Sequence, residues 1–525
     1  MNTSGKQYSR WIWIGLLLIA GGCGGGGSDD DNANEQNSET TLPTPSFPTE
    51  TSADFLFTVN STADSVDTLT ADGQCKTIAG VCTLRAAIME ANALYARDQS
   101  AIVIELPTGI YSLTEMGGDE NDSQQGDLDI HGNMTIAGGG SLDTVIDGTI
   151  LSDRVMDVHA SAILSLTGVS LKGGLTDNNG AGIQVGKASV YLEDVRIVDN
   201  KSRFASGGGM STSGNIEGHQ VYIARNQADD GGGGIQQTGA TDAQLVLYDS
   251  IIESNEVNGL GGGLYARTGT VKLDKVILRH NLAHVHGGGL YGTGADFEVI
   301  NSHIAENEAD HVAGGIYNTS GLFVLRNSTI SGNTARTHSG GGIHHRATAS
   351  SYTFRIDNST ISGNTAAING GGIWNIGSMG ITFSTITENN ATGSGGGIKS
   401  EATLSNTASD LRGVILVSNT AGETGDDCDG NVFSFGYNVF GTTQGCILIA
   451  QSGDTSGIDP QLSTLENRDS SLPVHYLSAS SPVHGIVPSA NCLDTQRAFL
   501  TEDQLGRPRP GSDDACDPGA IEADQ

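Results

Sequence analysis

Apolar and polar residues alternate along most of this chain in runs too short for helices, and the runs recur. Nine times a glycine cluster is followed by a large apolar side chain: Ile183, Met210, Ile235, Leu264, Leu290, Ile316, Ile343, Ile373 and Ile398, at spacings of 25 to 30 residues. A second series consists of alternating apolar runs that close on asparagine. They are Val195 to Asn200, Val221 to Asn226, Ile251 to Asn255, Val276 to Asn281, Ile304 to Asn307, Ile330 to Asn333, Ile361 to Asn364 and Ile386 to Asn389. The octet Ser328 to Ala335 repeats unchanged at Ser359 to Ala366. Alternation of period two marks strands, and a fixed period of this length marks a solenoid or an array.

Several short strands per repeat predict a coil with three faces. Each strand pairs with its copies in the coils above and below, which satisfies the backbone everywhere except at the two ends. Asparagine at one turn of each coil is expected in the left-handed region, bonded to its copy in the next coil as a ladder. Glycine at another corner allows positive φ and close approach of adjacent turns. A propeller would need a longer period, and the leucine-rich consensus is absent. The segments 101–105, 127–136, 144–148 and 163–173 read as degenerate coils of the same stack. The fold class that follows is all-β, a right-handed parallel β-helix of about 10–12 coils over residues 100–425.

A solenoid needs closed ends. Thr83 to Leu94 is the strong helix candidate, with Thr83 as N-cap and Leu84, Ala87, Ile88 and Ala91 on one face. It predicts an N-terminal cap over 54–99, and residues 426–525 are expected to form a disulfide-bonded C-terminal cap.

Composition then fixes the compartment. Lys6 and Arg10 precede the ten-residue apolar stretch Trp11 to Ala20, too short to span a bilayer. Ala20, Gly21 and Gly22 before Cys23 resemble a bacterial lipoprotein signal (residues 1–22), in which Cys23 carries the lipid. Ala20 stands where an aliphatic residue is usual, so cleavage by ordinary signal peptidase is the alternative. Gly24 in place of aspartate points to an outer-membrane lipoprotein, surface-exposed or periplasmic; without the lipid the chain is secreted. Residues 23–53 are a polar, flexible linker. Apart from Cys23, the cysteines Cys75, Cys82, Cys428, Cys446, Cys492 and Cys516 flank the repeats and are absent from them, as disulfides in an oxidising compartment would be. Proximity suggests Cys75–Cys82, Cys428–Cys446 and Cys492–Cys516, though other connectivities are open. No CxxC spacing supports zinc. The net charge of −34 disfavours nucleic acid and anionic lipid as partners. It suits solubility and makes Ca²⁺ a candidate cofactor.

Three stretches resemble a family. Val81 to Asn92 is similar to the CSLREA motif, with Thr83 for serine and Ala86 for glutamate. Its lead-in Phe57 to Asp64 and the later Gly126 to Ile130 are similar to the same family. Asp503 to Pro510 and Ala515 to Glu522, with Phe435 to Val439 less closely, resemble the choice-of-anchor Q domain. The glycine and asparagine repeats also resemble those of polymorphic outer-membrane proteins. The resemblance covers residues 55–523 and implies a right-handed β-helix of the pectate-lyase superfamily on a surface or secreted protein. It implies no particular activity.

Aligning the coils on the apolar residue after the glycines places the next residue on the outer side. The outward series is Gln184, Ser211, Gln236, Tyr265, Tyr291, Tyr317, His344, Trp374 and Lys399. Five successive coils present a ring, and an exposed strip of rings is a platform for sugar. The competing reading is that the rings only stack on one another. Eight of the 13 histidines lie between His280 and His345. Arg267 and Arg346 share the outward parity. The expected binding residues are therefore Tyr265, Tyr291, Tyr317, His344, Trp374 and Arg267. A metal reading on His286, His311 and His338 lacks any HExxH spacing, and no metal ligands are assigned. If the chain is a polysaccharide lyase, His344 is the base, Tyr317 the acid and Arg346 the carboxylate neutraliser. The aspartate pairs of polygalacturonases are missing.

The leading expectation is a surface lipoprotein, an adhesin or attachment module, whose partner is an extracellular glycan or cell surface and whose only membrane contact is the N-terminal lipid. A polysaccharide lyase or hydrolase, and a passive structural rod, are the alternatives. The lipid is checked by metabolic labelling with palmitate: the wild-type chain should carry label and Cys23→Ser none, and an unlabelled wild type would rule the anchor out.

Overall fold

A computed structural model describes residues 53–523 apart from 119, 348–352, 402–407, 469–471 and 512–513. The signal, Cys23 and the linker lie outside the described residues. The described chain is a parallel β-solenoid of about twelve turns. Each turn from Met210 to Val417 carries a three-residue strand on face 1, such as Met210–Thr212, a strand of four to five residues on face 2, such as Asn215–His219, and a three-residue strand on face 3, such as Tyr222–Ala224; earlier, Ser189–Val198 runs through faces 2 and 3 as one strand. A two-residue strand follows, and ten of these form their own ladder from Leu175–Thr176 to Thr420–Ala421. Every pairing between coils is parallel and keeps the aligned positions opposite one another, as in Ile183 with Met210 and Leu264 with Leu290.

The asparagine series forms the expected ladder. Asn307 Nδ2 donates to Leu278 O at 2.8 Å and to Asn333 Oδ1 at 3.0 Å, while Asn307 Oδ1 accepts from the backbone N–H of Asn281 at 3.0 Å. The pattern runs from Asn200 to Asn419, where Asp427 accepts in place of the next amide. One detail differs from expectation. The asparagines do not adopt positive φ; the residue before each does, as at Arg225 (φ 55°), His280 (54°) and Glu306 (52°). The turn has to reverse one residue early so that the asparagine points inward, where its amide reaches both neighbouring coils.

The glycine cluster is the counterpart of this ladder. In Gly232, Gly233 and Gly234 the first has φ 63°. A Cβ on the second would sit 2.6 Å from Glu256 O, and one on the third 2.6 Å from Gly263 O and 3.0 Å from Asn255 Nδ2. No side chain larger than hydrogen fits between coils there.

At the N-terminus, Phe55–Thr58 pairs with Ala101–Leu106 and starts the stack earlier than residue 100. Helix α1 (Leu84–Asp98) runs four residues beyond the predicted Leu94. Ala86 N–H donates to Thr83 Oγ1, the expected N-cap, and Leu84, Ala87, Ile88, Ala91 and Leu94 join the core. The helix is not an apolar plug alone, because Arg85 and Glu90 are also fully buried.

Stacking continues past 425: Cys428 pairs opposite Ile398, taking the apolar position after Gly425 although aspartates replace the other two glycines. All three disulfides join the sequence-adjacent pairs Cys75–Cys82, Cys428–Cys446 and Cys492–Cys516, with Cα separations of 5.1, 5.2 and 6.2 Å. The segment after 458 folds back along face 3 of the later coils. Gln504 bonds the hydroxyls of Thr329 and Thr360, His475 pairs with Ser362 Oγ, and Ala520 N–H donates to Thr385 Oγ1. Arg509, fully buried, pairs with Glu522 at 2.8 Å and lies 4.6 Å over the Phe383 ring.

Replacing Asn307 by Ala orphans buried groups in two coils at once, since its amide serves Leu278 O, Asn281 N–H and Asn333 Oδ1. The expected loss is about 3 kcal/mol of unfolding free energy, read from urea denaturation. A loss under about 0.5 kcal/mol would show that the ladder contributes nothing net.

Candidate functional site

Strand alternation and register place one outward side chain per coil on face 1. The row starts earlier and ends later than the aligned series predicted. It reads Asp129, Asp157, Gln184, Ser211, Gln236, Tyr265, Tyr291, Tyr317, His344, Trp374, Lys399, Asp429, each opposite the next. Lys399 and Asp429 close it with an ion pair.

The five predicted rings do come together. Ring centroids are 5.5 Å apart for Tyr265–Tyr291, 4.8 Å for Tyr291–Tyr317, 4.7 Å for Tyr317–His344 and 4.2 Å for His344–Trp374. These separations follow from the strand spacing of about 4.8 Å. The consequence for exposure differs from the expected open strip. Tyr265 is 9 % exposed, Tyr317 7 % and His344 2 %; only Tyr291 and Trp374 are half-buried. Tyr291 and Tyr317 stack at 5°, Tyr265 meets Tyr291 edge-on at 69°, and His344 is tilted against Tyr317 and Trp374; His286 also stacks on Tyr317 at 5.2 Å, with Val312 and Ala313 packed against the same ring. Little ring surface therefore reaches solvent outside Tyr291 and Trp374.

Burial also sets the chemistry. It holds His344 well below the ordinary histidine range, and its Nδ1 has no hydrogen-bond partner. A neutral imidazole would suit a base, but one packed between Tyr317 and Trp374 cannot touch a substrate. Burial raises the Tyr317 hydroxyl, against a hydrogen bond from Arg346 that lowers it, and pushes Tyr291 up to about 12. Both phenols are protonated donors at neutral pH. Arg346 is exposed at the row's edge, and Arg267 is exposed beside Tyr265.

Of the other clustered histidines, His280 is exposed and His284 pairs with Asp310 and Glu256. His286, His311 and His338 flank the row, with His286 and His311 rings 6.0 Å apart and His338 6.2 Å from Trp374. Their ligand atoms do not converge within 4.8 Å, so the sequence-based metal reading fails there; among the described residues such convergence occurs only near Asp129. His345 is buried and His303 half-buried, instead of solvated. His303 contacts Ser331 Oγ at 2.8 Å, and His345 reaches Thr353 Oγ1 at 3.0 Å and packs edge-on to Phe354.

The alignment missed Asp129 and Asp157, since their coils lack the glycine cluster used as its ruler. The available signal was the pair Asp129-x-His131 and Asp157-x-His159, one coil apart with the same parity. Burial and the neighbouring carboxylates push Asp127, beside them, up to about 8.

No family model and no curated protein sequence matches this chain. Among solved structures, the crystal structure of pectate lyase Pel9A aligns over 90 % of this chain and 97 % of its own, at 14 % identity and a TM-score of 0.36. A superposition that weak transfers neither residues nor chemistry.

Burial lowers His345 to about 4 in the fold, against about 6.5 unfolded. Between those values the unfolded chain binds more protons, so this residue's contribution is complete above about 6.5 and declines as pH falls towards 4. Relative to His345→Gln, the wild type should gain up to about 1.4 kcal/mol per pH unit across that window. Urea midpoints measured across it check this; parallel curves would mean that His345 is not buried in its neutral form.

Proposed function

We propose that the chain is an exported, surface-anchored binding module whose β-solenoid engages extracellular polysaccharide on face 1, between Tyr265 and Trp374. The observation that carries this reading is the pair of half-exposed rings in one row, Tyr291 and Trp374, with exposed Arg267 near Tyr265 and exposed Arg346 near Tyr317. Before the rings the same outward row is Gln184, Ser211 and Gln236, with Ser211 donating to Gln236 Oε1 at 3.2 Å. From Tyr265 to Trp374 it concentrates apolar rings and planar donors. That combination suits a hydroxyl-rich sugar, which offers C–H patches to rings and oxygens to guanidinium forks.

The solenoid holds these groups at fixed spacing, so successive sugar units can be met without reordering the protein. The three disulfides support export. Catalysis between Tyr265 and Trp374 is disfavoured by the burial of His344, the base expected there.

Retention of the full chain on immobilised alginate, pectate, chondroitin sulfate and neutral glucans is the test. At least one should be retained, with affinity falling about tenfold or more in Arg346→Ala combined with Trp374→Ala and no unsaturated ends released. Tyr191→Ala, on face 2, should leave it unchanged. Retention of none, or equal retention of the double variant, would overturn the assignment.

A further inference from the structure

The N-terminal end of face 1 carries a second polar constellation. Alternation along the first coil turns Asp127, Asp129 and His131 to the outer side, and the next coil adds Asp157 and His159, with Asp129 opposite Asp157. One ligand atom from each of Asp129, His131 and His159 lies within 4.8 Å of the others; the same holds for Asp127, Asp129 and Asp157. Two metal–ligand bonds of about 2.1–2.4 Å span such a distance, so a single ion can touch all three groups of either set.

We propose that Asp129, His131 and His159, with Asp127 and Asp157 against them, form a binding site for a divalent transition-metal ion such as Zn²⁺.

The imidazoles are oriented for it. His131 Nε2 faces the Asn121 carbonyl at 2.5 Å, and His159 Nε2 faces Asp129 Oδ1 at 2.7 Å. Without an ion Nε2 is the donor in each pair; an ion between His159 Nε2 and the Asp129 carboxylate would take the place of that proton. The two rings lie nearly parallel, 4.1 Å apart, and both remain partly exposed. Two nitrogens and a carboxylate favour a first-row transition ion over the all-oxygen shell that Ca²⁺ takes.

Charge and hydrogen bonding point the same way. Asp127, Asp129, Asp153 and Asp157 crowd around one arginine, Arg154, which pairs with Asp157 and approaches Asp127 at 3.5 Å. Asp127 is 5 % exposed, and its ion-pair partner Arg154 stands 3.5 Å away. A buried carboxylate beside two others is costly when one arginine is shared among them.

The cap holds this strand in place. Arg85, fully buried and paired with Asp64 at 2.6 Å, donates to the carbonyls of Ser123, Gly126 and Asp127. Asn92 of α1 donates to Asp129 O at 2.7 Å and accepts from His131 N–H at 2.9 Å. Ser123 N–H donates to Asp129 Oδ2 at 2.9 Å. A helix that only closed an apolar end would need none of these polar groups.

Calorimetric titration of the chelator-stripped full chain with ZnCl₂ tests the proposal. One saturable equivalent should bind and raise the unfolding temperature. Affinity should fall at least tenfold in His131→Ala combined with His159→Ala, and likewise in Asp129→Asn, with circular dichroism unchanged. His286→Ala should bind as the wild type does. No saturable zinc binding, zinc binding undiminished in the double variant, or binding of Ca²⁺ but not Zn²⁺ would overturn it.

Discussion

A buried asparagine side chain carries two N–H donors and an oxygen, and inside an apolar core each must be bonded or cost free energy. In this molecule most of the partners belong to the coils on either side, although Asn333, Asn389 and Asn419 also reach a carbonyl two residues back. Asn307 is bonded to residues 278, 281 and 333, none of them in its own turn of chain. The requirement therefore couples three coils at every rung. It fixes the rise, forbids a one-residue slip, and forces the glycine cluster of the same coil to stay small, since a Cβ on the third glycine would meet the ladder amide.

Once the register is fixed, everything on the outer faces is arranged in rows at strand spacing. That spacing suits stacked rings, and the row from Tyr265 to Trp374 takes advantage of it at a price in exposure. A ring packed on both sides stabilises the sheet and shows little of its surface. The row's surface chemistry thus comes from its partly covered members, Tyr291 and Trp374, and from the arginines at its margin. The N-terminal end of the same row obeys the same spacing with carboxylates and imidazoles in place of rings.

The strands, their register and the disulfide pairs were legible because each is a local pattern repeated. Parity along the strand correctly put Tyr265, Tyr291, Tyr317, His344 and Trp374 in one row. Their exposure was not legible, because it depends on His286, Val312 and Ala313, which lie in other coils or another part of the turn. The left-handed residue was placed one position late, since asparagine tolerates that conformation but is needed here for its inward amide. Asp129 and Asp157 escaped notice because their coils lack the glycine cluster. The course of residues 459–523 along face 3 has no periodic signal: it rests on single contacts such as Gln504 with Thr329 and Thr360.

Hydroxyl-radical footprinting with mass spectrometry reads side-chain exposure ring by ring, and so tests the working face most directly. In the free protein Tyr291 and Trp374 should oxidise readily, while Tyr265, Tyr317 and His344 stay protected. With a retained polysaccharide bound, protection should appear at Tyr291 and Trp374 and leave Tyr191 and Tyr248 on face 2 unchanged. Protection on face 2 or along the C-terminal segment, with the face 1 rings unaffected, would contradict the account.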